Sequence, residues 1–312
     1  MPHTHDGKRS LRMRQPRAVP PAVRLLLTAA LFASGGTLLK LCAFPALERA
    51  GLRAAIAALA IFVMLPAARR WPTGRMLLLA PAYFGATVLF VVANSLTTAA
   101  NAIFLQSAAP LWIVLFGPWL LHERPTRRDF VTLLGVGAGM ALFFVAPTEV
   151  QATAPNPRLG DWFAVASGVS YALLLLGLRK LSKGDDQAQC AAIAWGNALT
   201  FPVALALGFL PWFDAPILGS AQDWLVIVVL GVFQVGLAYA ILVRTIQHVP
   251  AMRASLVMMV EPVLNSLLAW LVHGERPHAV ALGGGALILG TVLATSVRSR
   301  PPAPPGRLPA DT

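Results

Sequence analysis

Ten apolar runs leave this chain few ways to fold. They fall at about residues 23–41, 46–66, 76–96, 99–121, 129–146, 161–179, 188–210, 223–243, 250–272 and 279–297. A bilayer-spanning helix needs roughly 20 apolar residues, and each run is close to that length. Of the 312 residues 57% are hydrophobic and only 12% charged, too little polar surface for a soluble fold. The sequence therefore predicts an all-α polytopic membrane protein with ten transmembrane helices.

The formal net charge of +12 raises the question of nucleic acid. Basic residues cluster at run ends and in the first 24 positions rather than on one soluble face, so no nucleic-acid partner is expected. The expected partners are the lipid bilayer, a small-molecule substrate and, at an acidic site, protons. Monomer and homodimer fit equally. Of the 25 Lys and Arg, 20 fall on one alternating set of tails and loops and five (Lys40, Arg49, Arg53, Arg158, Arg276) on the other. The positive-inside rule then places both termini in the cytoplasm of a cell (inner) membrane. The basic tail, residues 1–22, is expected to be disordered, and the first run to be retained rather than cleaved as a signal peptide. A first five-helix repeat follows at 23–146, then an external linker at 147–160. A second repeat at 161–297 and a disordered Pro-rich tail at 298–312 complete the expected domains. Cys42 and Cys190 have no metal-ligand spacing and make no disulfide framework; no cofactor or metal is expected.

Residues 100–125 align without gaps to 252–277, with Pro110 on Pro262 and Glu123-Arg124-Pro125 on Glu275-Arg276-Pro277. A fainter echo pairs Ala33-Ser34-Gly35 with Ala166-Ser167-Gly168. Each half carries five spans, an odd number, so the halves insert upside down relative to each other. Inverted repeats place a site near the midplane, an arrangement of secondary transporters. This five-plus-five plan, the repeated Glu-Arg-Pro, Val260-Glu261-Pro262, Leu52-Arg53 and Lys40 together resemble the drug/metabolite transporter superfamily, EamA type, over about residues 24–297. The resemblance implies a central cavity between helices 1–4 and 6–9, with helices 5 and 10 peripheral. Two departures stand out: Ala109 where the second half has Glu261, and Ser34-Gly35-Gly36 where many relatives carry Trp-Gly.

Glu261 is the deepest acid, near the middle of the ninth run. A charge there costs at least about 2.5 kcal/mol on insertion scales. It should face a cavity or satisfy backbone groups near Pro262, and it is the proton-coupling candidate. Pro110 and Pro262 lack the N–H of a regular helix and are expected to free carbonyls near the midplane, as hinges or as passive kinks. Further cavity candidates are Ser34 and Thr37 in the first run, Asn94 in the third, and Asn101, Gln106 and Ser107 in the fourth. The second half adds Tyr171 with Ser170, then Asn197, Gln234, Tyr239, Asn265 and Ser266. Interhelical hydrogen bonding is the alternative for each. Trp112, Tyr83, Phe84 and Phe233 are candidate linings. Lys40 and Arg53 are expected to snorkel to the interface, with carboxylate binding, or for Arg53 an ion pair with Glu48, as alternatives. Gly135, Gly137, Gly139 and Gly283, Gly284, Gly285, Gly290 suggest close packing of helices 5 and 10. His122, His248 and His273 sit at span ends.

No Walker A, G-x-S-x-G, H-E-x-x-H or paired-carboxylate pattern occurs in the spans, and the chain is not expected to be an enzyme. The sequence favours a secondary transporter exporting an amino-acid-like solute by alternating access. An exporter of drugs or other amphiphilic metabolites is the alternative, and a membrane-embedded enzyme or scaffold the second.

Overall fold

The computed structural model describes residues 19–122, 126–147, 149–182, 187–211, 217–246 and 257–297. Within them the chain forms ten helical rods: α1 (Pro21–Lys40), α2 (Ala46–Met64), α3 (Gly74–Leu77 continuing as Ala80–Leu96) and α4 (Ala99–Gln106 and Ala109–Leu121). They continue with α5 (Arg127–Val145), α6 (Pro157–Ser182), α7 (Ala188–Gly208) and α8 (Ala221–Val229, Leu230–Leu237 and Ala238–Ile246). The last two are α9 (Val260–His273) and α10 (Ala279–Val297). Local chemistry sets many ends. Pro21 opens α1, where its missing N–H costs nothing. Capping boxes open α5 (Thr126 with Asp129) and α8 (Ser220 with Asp223). Gly274, at φ 67°, closes α9 in the left-handed region.

Packing follows the repeat. Exchanging each helix for the one five places along maps α3–α6 onto α1–α8, α4–α6 onto α1–α9 and α2–α8 onto α3–α7, and every one of these pairs is packed together. The pairs α2–α7 and α5–α10 map onto themselves and are also packed. This is the contact pattern of two inverted five-helix units. In the α5–α10 pair, a Cβ on Gly284 would stand 2.6 Å from the Gly139 carbonyl and one on Gly139 would stand 2.8 Å from that of Gly284. Nothing larger than glycine lets these backbones meet. Gly137, Gly283 and Gly290 face open space instead. Large apolar residues such as Val63, Trp119, Leu134, Val145, Phe209, Leu225 and Leu271 stand exposed around the bundle, as a bilayer-facing surface requires.

The prolines differ from expectation. Pro110 does not kink a continuous helix; it begins a second segment, after tight bonds from Ala108 N to Leu105 O (3.3 Å) and Leu111 N to Ala108 O (2.9 Å). At that position the missing N–H costs little. Pro262 likewise lies in the first turn of α9. The first Glu-Arg-Pro, His248, Arg253, residues 1–18 and the tail from 298 lie outside the described residues, and α1 begins at Pro21, inside the expected tail.

Candidate functional site

Buried polar residues gather in two places, a layer at the Lys40 end of the bundle and a chamber deeper in. In the layer Lys40 Nζ donates to Glu275 Oε1 at 2.6 Å and to the carbonyls of Thr97 (2.8 Å) and Thr153 (2.5 Å). The side chains of this ion pair are 4% and 1% exposed. Glu275 Oε2 accepts from Ala99 N, the start of α4, at 2.8 Å. Asn265 accepts from Gly36 N (3.2 Å) and donates to Ala99 O (3.0 Å), so α9 is bonded to α1 and α4. The His273 ring nitrogen lies 3.0 Å from Thr37 O. Thr97 and Asn101 both donate to Asp161 Oδ1, at 2.8 and 3.1 Å. An opening of about 110 Å³, lined among others by Thr97, Asn101, Glu149, Arg276 and His278, sits over this layer.

Neighbouring charges near this end also have partners, although Arg49 Nε and Asp161 Oδ2 are buried without one. Arg49 donates to Leu39 O, to Cys42 O (3.3 Å) and to Ser95 Oγ (2.9 Å). Asp223 accepts from Ala43 N at 2.6 Å and from both Ser220 groups. Glu48 accepts from Ile217 N at 2.9 Å rather than pairing with Arg53. The interface position expected for Lys40 and Arg53 is therefore corrected. The Lys40 side chain turns inward to a carboxylate and two carbonyls, which replace water, and Arg53 is only 5% exposed.

The chamber is built by α1, α2, α3, α6, α7, α8 and α9. Gln234 lies on the π-helical stretch Leu230–Leu237 of α8, a widened turn of the kind frequent at functional sites. Its Oε1 accepts from Arg53 Nη1 at 3.3 Å and its Nε2 reaches Phe32 O at 3.5 Å. Gly35 makes room for it, since a Cβ there would lie 2.7 Å from Gln234 Nε2. Phe32 also meets Tyr239 edge-on, with ring centroids 5.2 Å apart. Asn197 Nδ2 donates to the Tyr83 hydroxyl at 2.5 Å. The Arg53 charge acts on the hydroxyls of Tyr83 and Tyr239, and that of Glu261 on Tyr171 and Tyr239. Tyr239 thus lies within reach of both charges.

Glu261 faces this interior. On α9 Pro262, Asn265 and Ala269 are buried, and at about 3.6 residues per turn Glu261, itself half-buried, stands beside that face and away from exposed Val263, Leu267 and Trp270. It has no hydrogen-bond or ion-pair partner among the described residues, and it, Tyr171 and Tyr239 are each half-buried.

The remaining sequence candidates divide. Gln106 donates to Ala86 O (2.9 Å) and Ser167 Oγ (2.6 Å), which ties α3, α4 and α6. Ser34 bonds back to Leu31 O (2.7 Å), Ser170 to Ala166 O and Ser266 to Pro262 O (both 2.9 Å), each within its own helix. Ser107 forms the turn before Pro110. Thr37 Oγ1, both Asn94 side-chain atoms and Trp112 Nε1 are buried without partners. Tyr83 is in the interior, whereas Phe233 is 47% exposed on the outer face. Sequence reasoning missed the weight of Arg53, although its depth within α2 was the available signal, and it missed Asp161.

Residues 21–145 and 158–297 each match the EamA-like transporter family. An uncharacterized transporter of Archaeoglobus fulgidus is 28% identical over 226 residues, 71% of this chain and 76% of its own. A solved crystal structure with 21% identity superposes with a TM-score of 0.60 over 88% of this chain and 96% of that one, a likeness of fold alone. With both halves matched, the chain belongs to the EamA-like transporter family, within the drug/metabolite transporter superfamily, and is a multi-pass membrane protein built from two EamA repeats.

Proposed function

We propose that the protein is a secondary transporter that exports a small amino-acid-like metabolite by alternating access, with protons coupled through Glu261. The observation that carries this reading is the Glu261 carboxyl, which stands without a partner among the described residues beside Tyr171 and Tyr239, where α6, α8 and α9 of one repeat meet α1 and α2 of the other. A carboxyl with no fixed cation can hold a proton in one state and a substrate ammonium in the other. Inverted repeats supply the motion, because rocking one against the other opens a midplane site to alternate sides. In this reading the Lys40 end is external and both termini are cytoplasmic. Reporter fusions after residue 298 and in loop 67–75 should read cytoplasmic, and one in loop 211–222 external.

Growth of overexpressing cells on toxic amino acids, their analogues and lipophilic cationic drugs tests the substrate and direction together. Export of an amino-acid-like solute gives tolerance to one or more amino acids or analogues, and Glu261→Gln removes it. Sensitisation would mean import, and tolerance confined to drugs would replace the substrate class.

A further inference from the structure

Among the described residues, two charged side chains of this interior have fewer partners than the rest, although Arg49 Nε and Asp161 Oδ2 are also buried without a hydrogen bond, and the two share one chamber. Lys40 meets a carboxylate and two carbonyls, and Arg49 meets two carbonyls and a hydroxyl. Among the acids, Glu275, Glu48, Asp223 and Asp161 each accept at least one hydrogen bond. Arg53, by contrast, makes one bond of 3.3 Å to a neutral amide, and Glu261 makes none among the described residues. A structural arginine this deeply buried would be caged as Arg49 is, because a desolvated guanidinium demands acceptors for its fork of donors.

We propose that Arg53 is the residue that binds the substrate carboxylate, and that Arg53 and Glu261, the two charges of this interior with the fewest partners, select a zwitterion. The assignment rests on the amino-acid-like reading above. A carboxylate accepts two parallel N–H bonds from a guanidinium, which a single amide oxygen cannot replace. Gln234 fixes the fork from one side, held in turn by Phe32 O and by the space at Gly35. The substrate ammonium falls to Glu261, and the Tyr239 hydroxyl serves either head group. An α-amino acid brings one charge of each sign. It satisfies both residues without adding net charge to the chamber, whereas an amine or a simple acid leaves one of them bare.

Counterflow in proteoliposomes tests this with the standard L-amino acids, their methyl esters and the corresponding primary amines as probes. At least one radiolabelled amino acid should exchange, and its ester and amine should compete at least about tenfold more weakly. Arg53→Gln should lower the affinity for the acid to that for the ester and leave the ester unchanged. Gln234→Leu, which frees the fork without removing it, should keep the preference for the acid. Amino-acid exchange with no discrimination between acid and ester in the wild type overturns the assignment of Arg53 alone. The same conclusion follows if Arg53→Gln retains that discrimination. Exchange of no amino acid overturns the substrate reading as well. The comparison of acid with ester on the wild-type chain needs no variant to fold.

Discussion

The layer around Lys40 and the chamber around Tyr239 are made of the same residue types and treat them in opposite ways. In the layer Glu275 is matched by Lys40 on one oxygen and by Ala99 N on the other. In the chamber Glu261 and Arg53 are near enough to act on one tyrosine, yet they are not paired with each other. A buried ion pair with all its hydrogen bonds made is a fixed joint. A buried charge left short of partners is costly to keep, and a ligand can recover that cost. The Lys40 joint also links the repeats, since Lys40 and Ala99 belong to the first and Glu275 to the second. Any motion that separates the repeats at that end must break it.

This contrast predicts where substitutions hurt folding and where they hurt transport. The largest effect on folding is expected for Lys40→Met, which strands Glu275 at 1% exposure. Losing one partner of a buried pair costs about 3–5 kcal/mol, read as a lowered thermal midpoint in detergent. The double variant Lys40→Met with Glu275→Gln should recover much of that loss. Next comes Gly284→Ala, whose Cβ would press on the Gly139 carbonyl. Overpacking of this kind costs about 1–3 kcal/mol, and transport per folded molecule should stay near wild type because α5 and α10 pack chiefly on each other. Glu261→Gln and Arg53→Gln should shift stability by less than about 1 kcal/mol while abolishing substrate movement driven by a pH gradient and preference for a free carboxylate, respectively. The smallest effect on folding is expected for Pro110→Ala and Pro262→Ala, since each proline stands in a first helical turn. They should insert normally and slow transport by letting helix run on through the breaks that proline now holds open, and wild-type rates from the double variant in vesicles would show the breaks to be passive.

Much of this was legible in the sequence. Run lengths give the ten rods, the aligned segments give the two repeats, and an acid in the middle of an apolar run marks Glu261. The reading failed where charge stands near a run end. Lys40 closes α1 and Arg53 lies seven residues inside α2, and composition cannot tell a side chain that reaches outward to water from one that reaches inward to an acceptor. The acceptors lie far away along the chain: Glu275 for Lys40, Gln234 for Arg53. The repeated Glu-Arg-Pro marked Glu275 as unusual, but its role follows only once α9 and α10 stand beside the ends of α1 and α4. The break before Pro110 was likewise hidden, since proline signals a lost bond without saying whether the helix bends or restarts.

Glu261→Gln in proteoliposomes, using an amino acid that the wild type exchanges, tests the central claim most directly: the chamber acid carries protons, whereas the Lys40 layer holds the fold. The amide keeps the shape of a protonated carboxyl and cannot release a proton. The expected result is a well-folded protein that still exchanges radiolabelled amino acid across the membrane but no longer accumulates it when a pH gradient is imposed. Gradient-driven accumulation at the wild-type rate by the same folded variant would contradict the account.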